Sequence, residues 1–262
     1  MRYKGIKFLE NLQAEGKRVV SLEETQKRLR LSRVAALKLL SRLQKSQRLV
    51  TLTDGLYALV PPSERRHGLH PLPVLHQLMK FCNVDYYVGL LSAAEHWGAA
   101  HHRPQVLQVM VPRLLPLRRA KKMRFDFHVR KHFPLRGITS FKTDSGPVGV
   151  SSRELTALDV LTYMSACAGF DNVGLILQEL SPQLKEKELF ALLDDYRPIS
   201  SIQRLGVFLE FFGDQKRLVQ RLKKYIQELK PSPVLLLPGE ERRGDMDVTW
   251  SVLMNTEMEF EE

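Results

Sequence analysis

A set of basic, hydroxyl and small side chains near the N-terminus has the composition of a DNA-contacting surface. Ser32 is a suitable N-cap, and the helix that it opens is predicted to run to about residue 46. At about 100° per residue, one face of this helix carries Val34, Ala35, Lys38, Ser41, Arg42 and Lys45. Small residues allow a helix to enter the DNA major groove, while hydroxyl and guanidinium groups hydrogen-bond to base edges and phosphates. The face therefore favours double-stranded DNA as a ligand, with a merely solvated helix face as the alternative.

The opposite stripe of the same helix predicts how it is held in place. Its members recur at helical spacing and are expected to be buried: Ala36, Leu39, Leu40 and Leu43. Two helices precede it, over residues 4–15 and 22–30. The second of these begins at a capping box, in which the Ser21 hydroxyl and the Glu24 carboxylate each accept a free backbone N–H.

A hairpin is predicted from VTLTDGLYALV, because Asp-Gly at 54–55 stands between alternating apolar positions and both turn residues would take positive φ. Pairing Thr53 with Leu56 gives an apolar inner face made of Val50, Leu52, Tyr57 and Leu59. Thr51 and Thr53 then point outward, and the prolines at 61–62 end the strand.

Three helices followed by a hairpin predict a winged helix-turn-helix DNA-binding domain over residues 1–62. The predicted DNA contacts are Ser32, Arg33, Lys38, Ser41, Arg42, Lys45, Arg48, Thr51 and Thr53. The last three place the wing, while Arg42 is expected to contact a base and Lys45 a phosphate. A winged helix that binds protein instead of DNA is the alternative.

The charge of the chain is unevenly distributed. The net charge is +11, but residues 1–62 hold 13 Lys/Arg against 5 Asp/Glu, residues 63–150 hold 14 against 5, and residues 151–262 hold 13 against 19. The basic segments over residues 1–150 suit a polyanion, and the acidic segment over residues 151–262 suggests a different partner.

Residues 63–262 are predicted to form a mixed α+β domain that ends in a helical bundle. A polar, basic linker over 63–70 precedes it, and the basic run at 118–122 is expected either to add phosphate contacts or to be a solvated loop. Hydrophobic periodicity predicts helices over 73–82, 86–97, 153–164, 171–180, 184–195, 200–212 and 214–229. It predicts strands over 106–112 and 123–129, a hairpin over 138–152 that turns near residues 144–147, and closing strands in SPVLLLPG and VTWSVLMNTEMEF.

No motif in the chain predicts catalysis or a cofactor. A phosphate-binding GxxxxGK[ST] loop, a GxSxG elbow and a strand-borne GxGxxG are all missing, so an enzyme is not expected. The eight histidines fall between His67 and His132 without a recognised metal-ligand spacing, and no metal is expected. Cys82 and Cys167 are predicted to be buried thiols. With no apolar run of membrane-spanning length and no signal peptide, a cytoplasmic protein without membrane contact is expected.

The chain resembles the AbiEi family of bacterial abortive-infection antitoxins. The resemblance is carried by TDGLYALVPP, DYYVGLLSAAEHWGAAHHRPQ, VLQVMVP, FDFHV, SSRELTALDVL, SSIQRLGVFLEFFG and TWSVLMN, in this order along nearly the whole chain. The histidines that follow YYVGLLSAAEHWG depart from the expected pattern and leave the role of this segment open.

The resemblance implies an antitoxin and transcriptional repressor of phage defence. Its winged helix would bind the operator of its own operon, and residues 63–262 would counteract a nucleotidyltransferase toxin without needing a stable complex. Candidate charges for the second task are Glu186, Glu188, Asp194, Asp195, Glu257, Glu259, Glu261 and Glu262. Two other functions stay open: a ligand-responsive winged-helix regulator, which needs an apolar pocket with a few polar groups, and an enzyme with a DNA-binding arm, which needs clustered carboxylates.

Overall fold

The computed structural model describes residues 2–66, 68–100, 104–115, 124–143 and 146–260 of an α+β protein. The helices are Arg2–Ala14 (α1), Leu22–Leu29 (α2), Arg33–Lys45 (α3), Leu72–Cys82 (α4), Leu90–His96 (α5), Arg153–Thr162 (α6), Phe170–Leu180 (α7), Glu186–Leu193 (α8), Ile199–Phe212 (α9) and Lys216–Leu229 (α10). The strands are Val19–Ser21 (β1), Leu49–Thr53 (β2), Leu56–Leu59 (β3), Tyr87–Val88 (β4), Leu107–Val111 (β5), Phe125–Val129 (β6), Ile138–Thr143 (β7), Gly146–Ser151 (β8), Val234–Leu235 (β9), Asp245–Asp247 (β10) and Val252–Met254 (β11).

The chain folds into two compact units. The first contains residues 1–87, 105–131 and 140–149, and the second contains residues 88–104, 132–139 and 150–262. Strands β4, β7 and β8 have residues in both units. The functional boundary expected between residues 62 and 63 stays a prediction.

The N-terminal helices form where local signals place them. The Ser21 hydroxyl accepts from the Glu24 backbone N–H at 3.0 Å, and the Ser32 hydroxyl accepts from the Ala35 backbone N–H at 3.3 Å. Each cap satisfies an N–H that the first helical turn leaves unpaired. The predicted inner stripe of α3 is confirmed, since its four members are all buried in one cluster with side chains of α1 and the first sheet: Ala36, Leu39, Leu40 and Leu43.

The hairpin exists, but its predicted faces and turn geometry are partly wrong. Thr53 pairs with Leu56 as expected, yet the register shifts between Thr51 and Thr53, so a bulge interrupts the alternation. Thr53 is therefore buried, with only 8% of its surface exposed. Of the two turn residues, only Gly55 has a positive φ, of 82°. β1, which the sequence analysis missed, pairs with β3 and completes a sheet of order β1-β3-β2.

The segment predicted as a polar linker is folded within the first unit. Pro62–Glu64 form a 3-10 turn, and Leu69 is buried. Glu64 pairs with Arg18 at 3.0 Å and also accepts the backbone N–H of His70 at 3.2 Å. α4 follows and packs its apolar face on β1 and β3.

The middle of the chain departs from prediction at one point. Residues 86–97 were expected to form one helix, but Tyr87–Val88 is a short strand, and Val88 pairs in parallel with Val150. The strands predicted over 106–112 and 123–129 are present as β5 and β6, which pair in parallel. The basic run at 118–122, the Asp144-Ser145 turn, His67 and His101-His102 lie outside the described residues.

The predicted helical bundle forms most of the second unit. Helices α6 to α10 lie where periodicity placed them, and α9 packs against α6, α7 and α10. Three strands in the order β10-β11-β9 follow. Gln203 on α9 donates its side-chain amide to the carbonyls of Trp250 and Ser251, at 3.2 and 2.9 Å. These hydrogen bonds connect α9 to the residues that precede β11.

Trp250 is fully buried against α9, and Gly206 makes room for it. A Cβ on Gly206 would lie 2.1 Å from the indole ring. We expect Gly206→Ala to lower the free energy of unfolding by about 1–3 kcal/mol, because the indole ring of Trp250 cannot move away without leaving a cavity in the core. Denaturant unfolding measures this change.

Gly174→Ala is the matched control. Its Cβ would meet Phe260, near the C-terminus, at 2.1 Å. Phe260 is only half-buried, whereas Trp250 is fully buried, so displacing Phe260 exposes less apolar surface and we expect a smaller loss. Equal stability of Gly206→Ala and the wild type would contradict this packing.

Glu210 supplies a pH-dependent contact to the same region. A hydrogen bond from Lys223 lowers the pKa of Glu210, with a further contribution from the Trp250 Nε1 donor at 2.6 Å and an opposing one from burial. Because the pKa of Glu210 is lower in the folded than in the unfolded chain, its ionised form stabilises the fold at pH values above the unfolded-state pKa. This stabilisation is lost as the pH falls through the folded-state pKa. We therefore expect the difference in unfolding free energy between the wild type and Glu210→Gln to persist at neutral pH and shrink below about pH 4.5. A difference independent of pH would contradict the assignment.

Candidate nucleic-acid interface

The outward face of α3 is accessible along its length. The predicted DNA contacts on this helix and its cap are exposed: Ser32, Arg33, Lys38, Ser41, Arg42 and Lys45. Val34, with 62% of its surface exposed, and the half-exposed Leu37 lie among them. This face meets the first requirement for entering a DNA groove, which is a protruding helix without a covering element.

A basic groove lies beside this face, between α1 and α3. We call it the α1–α3 groove; its volume is about 940 Å³, and it is lined by Lys4, Lys7, Phe8, Asn11, Arg28, Leu29, Arg30, Leu31, Ala35, Lys38, Leu39 and Arg42. The lining residues include six cations and no carboxylate. A surface of this composition attracts polyanions and raises their local concentration.

The close approach of α1 to α3 creates the groove. The backbone of Gly5 passes so near to α3 that an added Cβ would lie 2.8 Å from Leu39 Cδ1. Phe8, Leu9 and Leu12 continue the contact into the core. The exposed Lys4 and Lys7 are thereby held along the groove that Lys38 and Arg42 also line.

An ion-pair network fixes the end of the groove. Arg28 donates to both carboxylate oxygens of Glu15 at 2.7 Å, and its Nε lies 3.0 Å from Glu24. The forked hydrogen bond from Arg28 is the main reason why the pKa of Glu15 is lowered. Because these carboxylates offset its charge, Arg28 ties α2 to the C-terminal end of α1 and contributes little net charge to the groove.

Four of the other cations keep their charge available. Among the described residues, no carboxylate pairs with Lys4, Lys7, Arg30 or Lys38. Arg42 donates its Nε to the Lys38 carbonyl at 3.1 Å, which directs the guanidinium along its own helix. Guanidinium and ammonium groups in such an array can bind successive phosphates.

Three of these cations were missed by the sequence analysis. Lys4 and Lys7 belong to α1, and Arg30 follows α2 in the left-handed conformation, with a φ of 51°. The spacing of Lys4 and Lys7 on one side of a helix was a visible signal. Their placement beside α3 was not, because it depends on the Gly5 contact.

The three predicted wing residues are not equally placed. Arg48 is half-buried. Thr51 is also half-buried and accepts a hydrogen bond from the Gln44 side chain. Thr53 was expected to point outward and is buried instead, because the bulge reverses its direction. Contact of these three residues with DNA stays a prediction.

The acidic residues proposed for a protein partner are also unevenly disposed. Glu188, Asp194 and Asp195 are exposed in the second unit. Glu186 pairs with Arg221 at 2.5 Å and lies 3.5 Å from Arg217, so its charge is offset. Glu257 and Glu259 are exposed, while Glu261 and Glu262 lie outside the described residues.

The histidines and cysteines are not gathered at a site. Within the described ranges, no three His, Cys, Asp or Glu residues lie close enough to share a metal ion. Burial raises the pKa of the Cys82 thiol, and it raises that of Cys167 to about 12. No helix in the described part of the chain has the length and apolarity needed to cross a membrane.

Comparisons with known proteins bear mainly on the middle of the chain. Residues 87–211 match the family model described as AbiEi antitoxin C-terminal domain. The crystal structure of the RV2827C protein from Mycobacterium tuberculosis is similar, with a TM-score of 0.65 and 16% sequence identity, covering 94% of this chain and 89% of that chain. At this identity the likeness shows a common fold alone. No curated protein matches the chain.

If the α1–α3 groove binds DNA, a lysine on α1 must contribute to DNA affinity as well as those on α3. We expect Lys7→Ala to weaken binding to duplex DNA of any sequence and to reduce the salt dependence by about one phosphate contact. Lys27→Ala is the control, since Lys27 is exposed on α2 but does not line the groove. Fluorescence anisotropy with a labelled duplex measures both, and equal affinities of the two variants would rule out the groove.

Proposed function

We propose that the chain is an AbiEi-family antitoxin that combines two activities. Its N-terminal winged helix-turn-helix represses its own operon by binding operator DNA, and its C-terminal part counteracts a nucleotidyltransferase toxin. The proposal assigns no catalytic step and no cofactor to the chain. Both activities place it in the bacterial cytoplasm, where operator and toxin are found.

The observation that carries the DNA-binding proposal is the exposed α3 face together with the basic groove beside it. A protruding helix supplies groups for base edges, and the flanking cations supply contacts to the phosphates on each side. Phosphate contacts position a protein on DNA, whereas a bidentate arginine–guanine pair gives about 1–3 kcal/mol of discrimination. Arg42 is our candidate for such a pair, and Lys4, Lys7, Lys38 and Lys45 are our candidates for phosphate contacts.

The antitoxin proposal has a different basis. It rests on the family of the domain at residues 87–211 and on the resemblance of the whole chain. Glu188, Asp194 and Asp195 offer exposed negative charge in the second unit. An enzyme that handles nucleotides presents cations at its substrate site, so an acidic surface could steer toward it or compete for it. A stable complex is not required for this effect.

The two activities should be separable by substitution in the full-length chain. We expect the double variant Lys38→Glu/Arg42→Glu to lose repression, because two reversed charges oppose DNA phosphates. The same variant should still rescue growth when the toxin is expressed from an unrelated promoter. A reporter fused to the operon's promoter measures repression, and colony counts measure rescue.

Lys27→Glu provides the control for an exposed charge reversal outside the groove. It should retain both activities. Loss of rescue by a folded Lys38→Glu/Arg42→Glu variant would mean that neutralisation requires DNA binding, and the proposal of separate activities would fail. Undiminished repression by that variant would refute the interface.

A further inference from the structure

A second groove lies wholly within the second unit. We call it the Trp97 groove; its volume is about 440 Å³. Its lining includes three cations and an apolar wall: Arg136, Arg153, Lys185, Trp97, Ile138 and Leu192. All of these residues fall inside the range that matches the AbiEi domain.

Arg153 is held in a fixed position at this groove. Its guanidinium stacks 4.2 Å from the centre of the Trp97 ring, and its Nε donates to the Gln183 side-chain oxygen at 2.9 Å. The indole is fixed in turn, because Trp97 Nε1 donates to the Ser151 carbonyl at 2.8 Å. A guanidinium ordered in this way loses little conformational entropy when it binds an anion.

The cations of the groove have no carboxylate partners. Within the described part of the chain, Arg136, Arg153 and Lys185 form no ion pair. The Glu154 carboxylate is buried and accepts the backbone N–H of Lys185 at 3.0 Å, and Lys185 itself is exposed. Glu154 and Glu188 also line the groove, so three cations outnumber two carboxylates there.

The electrostatics of a neighbouring histidine agree with this charge. His96 meets Trp97 edge to face, with 4.7 Å between the ring centres. Burial lowers the pKa of His96, and the positive charge of Arg153 lowers it further. The lowered pKa favours the neutral form of His96, and the groove's positive charge comes from arginine and lysine.

We propose that the Trp97 groove binds a nucleoside phosphate. The planar fork of an arginine matches phosphate oxygens, and a lysine adds a mobile point charge. The adjoining Trp97, Ile138 and Leu192 side chains suit the nonpolar faces of a base, which free phosphate lacks. The volume is in the range that accommodates small ligands, roughly 300–1,000 Å³.

This site would make the antitoxin domain responsive to a small molecule. A ligand that binds the folded chain stabilises it in proportion to its concentration and affinity. The inference does not depend on DNA binding by the α1–α3 groove, because the two grooves share no residue.

The test uses the full-length protein with three probes: ATP, adenosine and inorganic phosphate. Isothermal titration calorimetry gives the affinities, and thermal melting shows that each variant is folded. We expect ATP to bind at least about tenfold more tightly than either fragment, which corresponds to 1.4 kcal/mol. Arg153→Gln should weaken ATP binding by a factor of about ten, consistent with the loss of one charge-assisted hydrogen bond.

Two further variants keep the test decisive. Lys185→Gln removes an exposed charge without changing the core, and it should also weaken ATP binding. Lys216→Gln is the control, since Lys216 is exposed on α10 and does not line the groove. ATP binding that is absent at millimolar concentration, or equal in all variants, overturns the proposal.

Two other outcomes would also overturn it. Phosphate binding as tight as ATP binding would mean a simple anion site without recognition of the nucleoside. Loss of toxin neutralisation in Arg153→Gln, with no ATP binding in the wild type, would make the groove a protein-docking surface instead.

Discussion

The packing of α1 against α3 at Gly5 is the constraint on which the proposed DNA interface depends. With no side chain at this position, the helices come close enough for Leu39 to fill the space that a Cβ would need. The buried contact aligns Lys4 and Lys7 with Lys38 and Arg42 along one groove. Arg28, paired with Glu15 and Glu24, holds the far end of α1 to α2. The proposed electrostatic attraction to DNA therefore depends on an apolar helix contact, which has no charges for salt to screen.

Features with local causes could be predicted from sequence, whereas features that depend on long-range contacts could not. Ser21 and Ser32 open helices where expected, because their hydroxyls bond to N–H groups only three residues away. The bulge that buries Thr53 depends on how β2 meets β3, and the pairing of Val88 with Val150 joins residues far apart in sequence. The exposed side chains of α3 were therefore predictable, but the groove beside them was not.

Net charge by segment predicts even less about local sites. Residues 151–262 are acidic as a whole, yet Glu186 is offset by Arg217 and Arg221. Arg153 and Lys185, from the same acidic segment, converge with Arg136 on the Trp97 groove. The two basic grooves differ in form: one borders a protruding helix, as a duplex requires, and the other is a smaller recess beside an indole ring. We propose duplex DNA as the ligand of the first groove and a nucleoside phosphate as the ligand of the second.

The dependence of DNA affinity on salt tests the central claim most directly. Full-length protein would be titrated with a duplex containing the operon's promoter at several salt concentrations. If the α3 face and the α1–α3 groove together neutralise about six phosphates, the logarithm of affinity should fall with the logarithm of salt concentration with a slope near −5, at about −0.9 per contact. A slope near zero would contradict the account, because binding without release of counterions cannot use these cations.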